Sequence, residues 1–182
     1  MSGPDWGLLL RSDPTGITLV IIVVFATATL WCGARTRVLQ RERAALDGDG
    51  RGWAADYRHT LALSADADLA LDLLLERSHG PHGTAWWVNG IQLKLGLLGK
   101  VIGFSILALT IGNVQSFDPA QSQELLRSLT TGLGVALLTT MVGLVGNILL
   151  GLQLTRLDRY ADELVADIQR TGIPDAAPEA AR

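Results

Sequence analysis

Charge is scarce in this chain. Asp, Glu, Lys and Arg make up 18% of its 182 residues, against about 25% in an ordinary soluble domain. Basic charge is not in excess either: the formal net charge is -3 and the pI about 5.5. A nucleic-acid partner is therefore not expected, because such binders carry a basic patch and a basic balance. Disorder over most of the chain is excluded, since it needs low hydrophobicity and high net charge. Here 48% of residues are hydrophobic and the mean hydropathy is +0.30.

Cysteine is nearly absent. Cys32 stands alone, inside an apolar run, and cannot form an internal disulfide. Histidine is rare: His59, His79 and His82. His79 and His82 flank Gly80-Pro81. Two histidines are too few ligands for a metal site, so this segment reads as an exposed turn and no metal is expected. There is no phosphate-cradling loop, no nucleophile–base constellation and no repeat of 20–50 residues. An enzyme is not expected.

Long apolar runs are what the chain has instead. Residues 16–34, 95–112 and 129–152 form three. A membrane helix needs about 20 mostly apolar residues, and backbone groups in lipid must pair within their own helix. The expected fold is an all-α integral membrane protein with three transmembrane helices. The first run is not read as a cleaved signal. Residues 1–15 hold one arginine and two aspartates, where a signal has a positive start and a shorter apolar core.

Positive charge sets the expected orientation. Arg35, Arg37, Arg41 and Arg43 follow the first run, with only Arg11 before it. Arg127 is alone between the second and third runs, and Arg156, Arg159 and Arg170 follow the third. This places the N-terminus outside and the C-terminus in the cytoplasm. Trp31, Trp86 and Trp87 then lie near the inner ends, as interfacial aromatics do.

The organisation follows. Residues 1–15 are an outer segment, 16–34 the first transmembrane helix and 35–94 a cytoplasmic helical segment. Residues 95–112 are the second transmembrane helix, 113–128 a short outer loop and 129–152 the third transmembrane helix. Residues 153–170 extend the third helix into the cytoplasm, and 171–182 are a disordered tail. Residues 35–47 continue the first helix, and Asp47-Gly48-Asp49-Gly50 stops it. Residues 53–77 read as helical, with a solvated acidic side of Asp66, Asp68, Asp72 and Glu76. His79-Gly80-Pro81-His82-Gly83 reads as a second break, with the next helix starting near Thr84. Leu154, Leu157, Ala161, Leu164 and Ile168 recur at helical spacing after the third run. One helix of roughly 40 residues, about 60 Å at 1.5 Å per residue, would then run from bilayer to cytosol.

Two stripes carry the functional reading. Gly132, Ala136, Thr140, Gly143, Asn147 and Gly151 share one helix face, with Thr139 beside them. Gly96, Lys100, Gly103 and Thr110 share another, with Gly99 beside it. Small residues let membrane helices approach closely, so Gly96, Gly99, Gly132, Ala136, Gly143 and Gly151 are expected to pack helices. Lys100, Thr140, Thr139, Asn147, Gly103 and Thr110 are the candidates for facing an ion path or a partner. No Asp or Glu lies in any of the three runs. A proton carrier in a membrane is usually a carboxylate; the chain either moves no protons or takes its acid from a partner. Lys100 would sit about 8 Å inside the bilayer edge, where it either snorkels to the interface or meets a partner's carboxylate.

Two segments resemble the MotA/TolQ/ExbB family of ion-driven motor subunits. LGLLGKVIGF at 95–104 is similar to the family's LGLLGTVxG signature in its second membrane helix. GLGVALLTTMVGL at 132–144 is similar to its G-x-x-x-AL-x-TT-x-x-GL signature in the third. The resemblance covers residues 84–167. It implies a pentamer around two copies of a single-pass partner of the ExbD, TolR or MotB type, in the bacterial inner membrane. The partner's intramembrane Asp would carry a proton or sodium ion, and no cofactor would be needed beyond that ion. Thr140 matches the third-helix Thr, Gly99 and Gly103 the second-helix glycines, and Lys100 stands where the family has Thr. The short cytoplasmic segment lacks a rotor-meeting domain, so an ExbB/TolQ-like role is the closer one.

Overall fold

The computed structural model describes residues 16–46, 51–64, 66–112 and 119–172. These residues form four helices: α1 (Ile17–Leu46), α2 (Trp53–Ser64), α3 (Ala67–Gly112) and α4 (Pro119–Gly172). The architecture of the described residues is all-α, and α1, α3 and α4 are each long and apolar enough to cross a membrane. The expected outer segment 1–15, the break at 47–50, the loop residues 113–118 and the tail residues 173–182 lie outside the described residues.

Three boundaries differ from those the sequence suggests. The helical stretch 53–77 is divided between α2 and α3. Asp66 ends the join by capping α3: its Oδ1 accepts the backbone N–H of Asp68 at 3.0 Å and of Leu69 at 3.2 Å. The acidic residues Asp66, Asp68, Asp72 and Glu76 are exposed, as their pattern implies. The expected break at 79–83 is absent, and α3 runs 46 residues straight through Pro81. Finally, α4 already begins at Pro119, within the stretch read as outer loop. Pro at a first helical position is pre-set for the helix and gives up an N–H that would be orphaned anyway.

The chain divides into two compact units. The first is Met1–Thr29 with Trp87–Gly151; the second is Leu30–Trp86 with Leu152–Arg182. In the first, α3 and α4 pack as an antiparallel pair joined by small residues. Gly103 faces Gly132 and Ala136, and Gly96 faces Thr139, Thr140 and Gly143. Leucine, valine and phenylalanine cover its outside: Leu109 is 70% exposed and Ile148 65%. An aqueous domain hides such residues; a helix in lipid presents them.

The second unit packs larger side chains inside. Its core is aliphatic: Leu39, Leu74, Leu154, Leu157, Leu164 and Ile168 are buried. The helical repeat seen after the third apolar run is therefore the core-facing stripe of α4. Trp53 starts α2 with its N–H on Glu42 Oε2 at 2.8 Å. Gly52 precedes it at a φ of 104°, and a Cβ there would meet that same carboxylate oxygen at 2.5 Å. Only glycine fits the turn.

Candidate functional site

In the first unit, the buried face of α3 follows a four-three rhythm through Asn89, Gln92, Gly96, Gly99 and Gly103. Lys100 falls off this face and is exposed. The facing seam of α4 is centred on Gly132, Val135, Ala136, Thr139, Gly143 and Gly146, all buried. Thr140, Asn147 and Gly151 lie half-buried along its flank. The stripe drawn from sequence is thus rotated by about one residue. The reason is geometric: the two helices meet where their backbones can approach most closely. A Cβ on Gly103 would lie 2.6 Å from Gly132 O, and one on Gly143 would lie 2.9 Å from Gln92 O.

The polar candidates are held as follows. Thr139 is fully buried, and its hydroxyl donates to Val135 O at 2.7 Å. Thr140 Oγ1 lies 2.7 Å from Ala136 O and 3.3 Å from Gly96 O, so this hydroxyl joins α4 to α3. Thr140 as a residue is half-buried on the flank of the seam. Asn147 Nδ2 donates to Asn89 O at 2.8 Å. Thr110 bonds along its own helix, to Ile106 O at 2.9 Å. The structure therefore brings Gly96, Gly99, Gly103, Gly132, Ala136, Thr139, Thr140 and Gly143 together, while Lys100 and Thr110 stand apart from them.

Sequence reasoning misses Asn89 and Gln92. Gln92 is fully buried, and neither end of its amide has a hydrogen-bond partner among the described residues. Asn89 Oδ1 is likewise buried and unpaired. Their signal is the four-three spacing back from Gly96, which continues through Ala85, His82 and Ser78.

The second unit holds a cluster that the sequence reading assigns to an exposed turn. His82 is only 2% exposed. Its Nδ1 lies 2.6 Å from Asp158 Oδ1, and Trp86 Nε1 donates to Asp158 Oδ2 at 2.8 Å. His79 Nε2 is 3.0 Å from Asp162 Oδ1. Arg35 completes the group from α1. Its Nη2 donates to Arg77 O at 2.7 Å and to Ser78 O at 2.9 Å, and its Nε points at His82 Nε2 at 3.5 Å. Trp53 lies under the guanidinium, 5.4 Å from ring centroid to Cζ.

These contacts explain why α3 survives Pro81. Proline has no N–H, so the carbonyl four residues earlier loses its helix donor. That carbonyl belongs to Arg77, and Arg35 supplies the missing donor. A charged donor is about twice as strong as a neutral one. Burial lowers the proton affinity of both Arg35 and His82. For His82, burial is the largest influence. Asp158 opposes it, while Arg35 and His79 add to it. Among the described residues, no three His, Cys, Asp or Glu side chains converge to hold a metal.

No protein-family model, no curated protein and no solved structure matches this chain.

Proposed function

We propose that this chain is the ring-forming subunit of an ion-driven energy-transduction assembly in the bacterial inner membrane. In this reading five copies, with the N-terminus outside and the C-terminus in the cytoplasm, surround two single-pass partner helices. A partner Asp carries the proton or sodium ion past the α3–α4 seam. The observation that carries the reading is the position of Thr140. Its hydroxyl stands between two helices, 2.7 Å from Ala136 O and 3.3 Å from Gly96 O, on a half-buried residue, in a chain with no carboxylate in its apolar runs. Such a hydroxyl can pass or solvate a cation but cannot carry one, so the carrier must come from elsewhere.

The test has two parts. Gentle purification from the native membrane should bring down a small single-pass protein with one intramembrane Asp. Thr140→Val, which keeps the shape and removes the oxygen, should reduce coupled ion flux about tenfold or more with the ring still assembled. Normal flux in that variant would sink the pathway assignment.

A second reading is favoured by Lys100. Its ammonium is exposed on the outer side of α3 and open to a partner's carboxylate. In that case the chain is a non-conducting scaffold of the same fold, with Lys100 pairing the partner acid. Lys100→Thr would then open an ion leak, and an unchanged flux would count against it.

A further inference from the structure

We infer that His82 is a proton-binding site that controls whether Arg35 closes the gap which Pro81 leaves in α3. This is independent of the ion path proposed above, and it lies wholly within the second unit.

Arg35 Nε carries a hydrogen and has only donors to offer. It points at His82 Nε2, so that nitrogen must present its lone pair. Nδ1 then carries the ring proton and donates it to Asp158 Oδ1. Neutral His82, with this one tautomer, satisfies both neighbours at once.

An added proton has one place to go, Nε2. It would set an N–H against the N–H of Arg35, and one positive charge against another, with no acceptor between them. One contact must yield. Asp158 holds its side firmly, through His82 on one oxygen and Trp86 on the other. Arg35 is held by two neutral carbonyls and an aromatic face. The Arg35 side therefore opens. Arg77 O loses the donor that replaced the missing Pro81 N–H, and α3 loosens over the turn around Pro81.

The other groups facing the ring push the same way or are already engaged. From α3, His79 stands 5.6 Å from His82 between ring centroids and works against a proton on His82. From α4, Asp162 Oδ1 lies 3.0 Å from His79 Nε2. From α1, Cys32 is buried beside the cluster and Trp31 meets the ring edge-on at 6.2 Å. From α2, Asp56 is spent on Arg77.

The test is amide hydrogen exchange of the full chain in lipid nanodiscs between pH 7.5 and 5.5, corrected for intrinsic rates. Protection over residues 78–86 should fall about tenfold or more on acidification, as a locally opened segment does. His82→Gln still offers one acceptor and one donor but does not titrate. Its protection should be flat across the same range. Equal pH dependence in wild type and His82→Gln, or none in wild type, overturns the proposal. A measurement on the wild type alone guards against a variant that fails to fold. Nitrogen-15 spectra of the histidines should show His82 Nε2 gaining a proton over the pH range in which protection is lost. Loss of protection with Nε2 still unprotonated would also overturn it.

Discussion

Gln92 poses the sharpest question at the scale of single residues. A buried amide group with no partner costs about 1–3 kcal/mol, and Gln92 has both ends unpaired among the described residues. Gly146 makes room for it: a Cβ there would lie 2.7 Å from Gln92 Oε1. Nothing in the packing requires a polar group at this position. Gln92→Leu, of similar volume, should therefore raise the thermal unfolding midpoint in detergent by several degrees, on the order of 4 °C per kcal/mol. A lowered midpoint would mean that the amide is paired in the assembled membrane protein. The unpaired amide sits on the packed face of the α3–α4 hairpin. It lies one helical turn from Gly96, whose carbonyl approaches the Thr140 hydroxyl.

At the scale of elements, the long helices were legible from the sequence and their join at Pro81 was not. Three uncharged or nearly uncharged runs define α1, α3 and α4 because lipid leaves a backbone no alternative to the helix. The leucines after residue 152 mark a core face for the same reason that any amphipathic stripe does. Pro81 misleads because its local chemistry favours a break, and the donor that overrides it comes from Arg35, 42 residues earlier than Arg77. No local reading contains that contact. The glycine stripes were found but set one residue off their true centre. Spacing fixes which residues share a face, and only the partner helix fixes which member of the face sits at the closest approach. Arg35 and Pro81 should accordingly be coupled in a double-mutant cycle. Arg35→Ala should cost about 1–3 kcal/mol, from the lost charged hydrogen bonds and the lost stacking on Trp53. Pro81→Ala restores the N–H and should recover part of that loss, giving a coupling of about 1 kcal/mol. Chemical denaturation of the four proteins measures it. Additivity within about 0.3–0.5 kcal/mol would mean that Arg35 does not repair the helix.

For the whole molecule, stability should fall as the solution becomes mildly acidic. Outside the apolar runs, burial displaces the proton affinity of His82. Its folded value lies below that of a free histidine, because burial outweighs the pull of Asp158. The sign follows from counting protons. Above about pH 6.5, the ordinary histidine value, His82 is neutral in both folded and unfolded chains and contributes no slope. Below it, the unfolded chain takes up a proton that the folded chain resists, so unfolding is favoured as pH falls. The loss deepens until the folded value is reached and then levels off. One group gives at most about 1.4 kcal/mol per pH unit. The denaturation midpoint should therefore be level from pH 8 to 7 and decline from there to pH 5. His82→Gln should remove this part of the decline while retaining a partner for Asp158. If the midpoint instead rose with acid, the Asp158 attraction would exceed the cost of burying the charge. His82 would then be an imidazolium in the folded protein, locked to Asp158, and Arg35 would have to find its place beside a cation that is always present.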